Sequence, residues 1–294
     1  MSRVEEAFET FRQRLELSES ERQDTIKRHT QVRACIRAAF GVDRDFLTGS
    51  YARHTKTKPL KDVDVFFVLD KSERWRRDKP PAEVLNAFLK QLGKEFGEEN
   101  VKPGRRCATV KFDKKNPTAD DAGKVLSIDC VPAFEHRDGY EIPDRDRGDW
   151  IKSDPEIHKE EATAKNAECE GGWVPAVKML KAWNREAGKP LKPMFLVEVM
   201  AQKLIDPPFR SYPSEVRRFF AAATEGVMQD WADPAGLGPP VSDQMTPDMR
   251  RAASSLLRQA EQKAALAARL EAQGRSGEAT ALWRELMGKY FPGN

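Results

Sequence analysis

The stretch from Asp62 to Leu69, DVDVFFVL, constrains this chain more than any other. Its apolar residues are β-branched or aromatic, and a run of this length and type reads as a buried strand. Side chains at i and i+2 of a strand share a face. Asp62 and Asp64 therefore aim together to one side, while Val63 turns into the core. Two carboxylates side by side on a buried strand repel each other and lose hydration. Such a pair persists where a cation sits between them, and oxygen-only ligands suit a hard ion such as Mg²⁺.

Two further features point the same way. Phe46-Leu47 reads as the end of a short strand, and Gly49-Ser50 follows it directly. Glycine lets the backbone approach a ligand closely. Ser50 and the amides after it can open a helix, and a helix start attracts phosphate. Downstream, Val125 to Phe134 (VLSIDCVPAF) reads as another strand, with Asp129 between Ile128 and Cys130. A lone carboxylate in such a run is costly unless it is paired or bound to a cation. It is the natural third acid.

The rest of the chain supplies the scaffold. Helices are predicted over residues 3–16 and 19–40, the second behind a capping box at Ser18–Glu21, with Ile26, Val32, Ile36 and Phe40 toward the core. Both read as a brace behind the sheet. A loop follows over 75–81, a helix over 82–96, a strand over 106–112 and a loop tip over 116–123. From Trp150 onward the pattern is helical, with helices near 155–169, 174–186, 194–205, 213–223, 248–273 and 278–288. The fold class is α+β: a mixed sheet flanked by helices over residues 1–149, and a C-terminal helical lobe over 150–294.

The run GSYAR…KDVDVF resembles the DNA polymerase β-type nucleotidyltransferases, in the branch that includes cGAS, the oligoadenylate synthases and the bacterial CD-NTases. GYEIPDRDRGDWIKSDPEIH and WRELMGKYFP look like the CD-NTases of bacterial anti-phage (CBASS) signalling. The resemblance implies a polymerase β-like core with the active site in the cleft between core and lobe. It implies two Mg²⁺ ions, with Mn²⁺ as a substitute, on Asp62, Asp64 and Asp129. It also implies triphosphate contacts from Gly49 and Ser50, with Tyr51, Arg53 and Thr55 on the same turn. VKMLKAWN resembles the family's lysine-bearing helix, which makes Lys178 and Lys181, three apart on one face, the lysines expected to meet the triphosphate, Lys181 ahead of Lys178. Pro193 stands where relatives often carry a serine. Trp150, His158 and Trp173 read as packing or surface groups. Implied partners are nucleoside triphosphates, ATP or GTP, and an effector reached through a cyclic di- or trinucleotide product. A regulatory protein is a possible partner, and no nucleic-acid activator is implied. The alternatives are transfer to an RNA end or protein, and a silent nucleotide-binding scaffold.

Composition sets outer bounds. The chain has 294 residues, a net charge of +3 and 33% charged residues. No apolar run is long enough to span a bilayer, and the charged start MSRVEEAFETF does not read as a signal peptide. Cys35, Cys107, Cys130 and Cys169 are scattered, without zinc spacing or a disulfide framework. These features read as a cytoplasmic protein. A charge of +3 does not demand nucleic acid.

Overall fold

The computed structural model describes residues 2–58, 60–112 and 127–293. The chain forms two units, one of residues 17–159 and one of residues 1–16 with 160–294. Helix α1 (Arg3–Leu15) belongs to the second. The first holds α2 (Glu19–Arg37), β1 (Val42–Thr48), the one-turn α3 (Gly49–Ala52), β2 (Asp62–Leu69), α4 (Pro81–Phe96), β3 (Val101–Pro103), β4 (Ala108–Lys111), β5 (Ser127–His136), β6 (Gly139–Asp144) and β7 (Asp149–Ser153).

The seven strands form one mixed sheet. Its order is β1-β2-β5-β4-β3, with β6 on β5 and β7 on β6. Among the described residues only β2 and β5 run parallel, and the other pairs are antiparallel. The two-residue period of β2 divides its side chains cleanly. Val63, Val65, Phe67 and Leu69 enter a core with Ile36 of α2 and Phe88 of α4. Phe66 and Val68 face the other way, into a smaller cluster with Ala133, Tyr140 and Ile142. Asp62 and Asp64 continue that second face toward the start of the strand.

The helical unit contains α1, most of α5 (Pro155–Glu168), α6 (Trp173–Glu186), α7 (Met194–Leu204), α8 (Tyr212–Gly226), α9 (Pro247–Ala272) and α10 (Ser276–Met287). Its core is one continuous apolar cluster. Phe8 meets Trp283 edge-on at 4.8 Å and Phe291 at 5.2 Å, a favourable aromatic geometry.

Several expectations need correction. Helix α1 belongs to the helical unit and not to the unit that holds the sheet. Its stripe of Val4, Phe8, Phe11 and Leu15 is buried as periodicity indicates, but the rings that cover it stand near the other end of the chain. Ile26 is 47% exposed, because the buried face of α2 runs through Thr25, His29, Val32 and Ile36. Ile26 sits one position, about 100°, off that stripe. The charged segment Lys71–Asp78 is a 3₁₀ helix begun by the Asp70 carboxylate, which accepts from the Ser72 amide at 2.8 Å. Strand β7 lies where only helices were expected. Its half-exposed DWIKS shows no alternation and is a strand by virtue of its ladder with β6. The loop expected over 116–123 lies outside the described residues. No helix among them is long and apolar enough to cross a membrane.

Candidate active site

The register of two strands builds the site. In the parallel β2–β5 pair, Asp64 stands opposite Asp129 and Asp62 opposite Ser127. Opposed residues of neighbouring strands point to the same face, so all three acids share one patch of the sheet. Across β5 on its other side, Thr109 of β4 is the partner of Asp129. The Thr109 hydroxyl donates to Asp129 Oδ1 at 2.7 Å.

Gly49 closes the patch from the β1 side, where Thr48 pairs with Asp64. Its φ of +62° is a conformation that favours glycine. A methyl group there would lie 1.8 Å from Asp64 Oδ2, so only a bare Cα fits. Ser50 follows in α3, and the Ser50 carbonyl accepts from the Thr55 amide at 3.0 Å. The turn thus brings its backbone against the acids.

The electrostatics follow from this crowding. Burial, then Asp129 and Asp62, push the Asp64 carboxyl up to about 7, with Lys56 and Arg53 opposing. Burial also raises Asp129, against the Thr109 hydrogen bond and with further upward pressure from Asp62. Cys107, its sulfur 3.6 Å from the Thr109 hydroxyl, is pushed up to about 12 by burial and by Asp129, so it is a neutral thiol. Asp64 and Asp129, both raised and with the Asp62 carboxylate beside them, are a donor set short of positive charge, which fits a divalent cation. As they stand, no three His, Cys, Asp or Glu side chains among the described residues are grouped closely enough to hold an ion. Asp62 is drawn to Lys56, Nζ to Oδ2 3.0 Å, and Asp129 to Thr109.

The two lysines of α6 lie in the helical unit, and both are buried. Lys178 Nζ donates to both carboxylate oxygens of Glu16 at 2.7 Å. Lys181 Nζ donates to Glu198 Oε1 at 2.7 Å, with both side chains 3% exposed. Trp173 is core, and Trp150 packs against Phe134 with its indole N–H on the Lys79 carbonyl. Lys56 and Thr109 escaped the sequence reading. Lys56 sits in a basic run that looks like solvated surface, and Thr109 acquires its role only through the β4–β5 register.

The sheet thus carries paired acids at the start of its central parallel strands, beside a glycine turn. Residues 1–166 match the Second Messenger Oligonucleotide or Dinucleotide Synthetase (SMODS) domain. The chain belongs to that family, and it is a nucleotidyltransferase with the polymerase β-like α+β fold. It is 27% identical over 270 residues to a cyclic AMP-AMP-AMP synthase of Acinetobacter sp., covering 84% of this chain and 72% of that protein. It is 27% identical over 273 residues to a probable cyclic nucleotide synthase of Bacillus cereus, covering 83% and 81%. Among solved structures it resembles the E. coli MS115-1 protein CdnC with ATP, at a TM-score of 0.77 and 18% identity over 98% of this chain and 99% of that one. CdnC has also been solved in complex with a HORMA protein.

Proposed function

We propose that this chain condenses nucleoside triphosphates into a cyclic di- or trinucleotide second messenger, releasing pyrophosphate, at a site built on Asp62, Asp64 and Asp129. The observation that carries the reading is the pairing of Asp64 with Asp129 on adjacent parallel strands, against a glycine that leaves no room for a side chain. Asp62, Asp64 and Asp129 are the ligands for two divalent ions, Mg²⁺ or Mn²⁺, which when bound supply the positive charge that a triphosphate and an ionising hydroxyl need. Gly49 and Ser50 offer amides and a hydroxyl to the β- and γ-phosphates. Asp129 accepts the proton of the attacking ribose hydroxyl. Thr109 holds that carboxylate in one orientation.

Lys178 and Lys181 are the proposed contacts to the leaving pyrophosphate, with Lys178 ahead. Its partner Glu16 is 40% exposed and can release it, whereas the Lys181–Glu198 pair is sealed on both sides. ATP is the favoured substrate, with GTP second, in line with the Acinetobacter synthase and with CdnC bound to ATP. The product acts on a separate effector in the bacterial cytoplasm as part of anti-phage defence. A HORMA-type protein is the favoured class of regulator, after the CdnC complex.

The test is incubation of the protein with ATP, GTP, CTP, UTP and Mg²⁺, phosphatase treatment, and mass spectrometry. A phosphatase-resistant cyclic product containing adenylate is expected, and Asp64→Ala should make none. Label that appears only on an added RNA or protein acceptor would overturn the synthase reading.

A further inference from the structure

Lys56 stands out in the segment between α3 and β2. The residues on either side, Thr55 and Thr57, are 0% and 2% exposed. Thr55 is tied back to the turn, its amide on the Ser50 carbonyl at 3.0 Å. The Thr57 hydroxyl donates to the Lys58 carbonyl at 2.9 Å. The backbone that carries Lys56 is thus fixed to the Gly49-Ser50 turn, between two inward threonines. The lysine side chain is itself only 11% exposed, yet its ammonium reaches Asp62 Oδ2 at 3.0 Å.

We infer that Lys56 is an internal counter-ion: its ammonium occupies the carboxylate cluster when divalent metal is absent, and passes to the triphosphate when metal and nucleotide bind. The inference rests on the proposed function. A metal ion placed on Asp62 competes for the carboxylate that the ammonium holds. Lysine is a compact point charge on a flexible four-carbon stem, so it can change partners without moving its backbone. Once displaced, it is tethered beside the Gly49-Ser50 turn, where the phosphates are proposed to lie. Anionic phosphate oxygens then replace the carboxylate as its acceptor. Lys56 is in this sense a positioning residue for the empty site and a binding residue for the filled one. Such an exchange couples metal and nucleotide binding, and the coupling is reciprocal.

The experiment is a Mn²⁺ titration of the full chain, followed by electron paramagnetic resonance of the free ion, with and without a non-hydrolysable ATP analogue. Without nucleotide, Lys56→Met should bind Mn²⁺ roughly two- to fivefold more tightly than wild type, the factor expected for an ion pair of partly exposed groups. Lys56→Arg keeps the competing charge and should match wild type. With Mn²⁺ saturating, Lys56→Met should bind the analogue more weakly. Thermal melts of all three confirm that they are folded. Equal Mn²⁺ affinity for wild type and Lys56→Met, with Asp64→Asn weaker than both, would overturn the counter-ion role and leave the enzymatic reading standing. Mn²⁺ binding indifferent to Asp64→Asn would overturn both.

Discussion

Asp64 on β2 and Asp129 on β5 are direct register partners across a parallel strand pair. Burial, and then repulsion from Asp129, push the Asp64 carboxyl up to about 7. The metal-free protein therefore carries electrostatic strain, which a cation bound at these carboxylates would relieve. Asp64→Asn should abolish turnover and raise the metal-free melting temperature by a few degrees, on the order of 1 kcal/mol. Calorimetry in chelator, beside a product assay in Mg²⁺, reads both. A variant less stable than wild type in chelator would contradict the repulsion argument.

Gly49→Ala tests the close approach. The added methyl would strike Asp64 Oδ2 and force a left-handed backbone on alanine. We expect turnover to vanish and stability to fall by about 1–2 kcal/mol. Combining it with Asp64→Ala should recover part of the stability but no activity, because the clash is removed and the ligand with it. A double-mutant cycle in urea measures the coupling.

Thr109→Val keeps the shape of the side chain and deletes its donor. With Asp129 no longer oriented, kcat should fall about 10- to 100-fold, with little change in the KM for nucleotide. Thr109→Ser should restore most of the rate. A rise in KM at unchanged kcat would place Thr109 in substrate binding and not behind the carboxylate.

Parts of this site were legible in the chain itself. The Asp62–Leu69 pattern fixed which side chains share a face, because a strand's period leaves no choice. Gly49 was marked by its neighbours, although its contact with Asp64 was not. The pairing of β2 with β5 joins residues some 65 positions apart, and spacing does not encode a parallel register at that range. Thr109 and Lys56 owe their roles to tertiary neighbours, so their identities alone were silent. The same is true of α1, whose apolar stripe announced burial but could not name the rings that cover it. Strand β7 lacks any local signal and exists because β6 offers a free edge.

In the same unit, Arg77 makes a paired contact with Glu141 of β6, Nε to Oε2 at 2.7 Å and Nη2 to Oε1 at 2.9 Å. Arg77 holds the Glu141 carboxyl below its usual range, against partial burial. A depressed carboxylate stabilises the fold above its unfolded pKa of about 4.3, and that contribution is lost as pH falls below it. Discounted for solvent screening, it is worth roughly 0.5 kcal/mol. Glu141→Gln should therefore be less stable than wild type at pH 7, and the two should converge near pH 3. Urea melts across that range decide it. A gap that widens with acid would reverse the sign and sink the assignment.

The two lysines of α6 should separate in the same assays. Lys181 and Glu198 are sealed together, so removing one charge strands the other in the core. Lys181→Met should cost about 3–5 kcal/mol. Adding Glu198→Gln should return much of that, because no uncompensated charge is left. Lys178 bonds a carboxylate that is 40% exposed, and water can replace it there. Lys178→Met should leave stability nearly intact, within about 1 kcal/mol, while raising the KM for ATP. If Lys178→Met changed neither stability nor KM, and the Lys181→Met/Glu198→Gln double variant folded normally but turned over poorly, Lys181 would be the lysine that meets the phosphates.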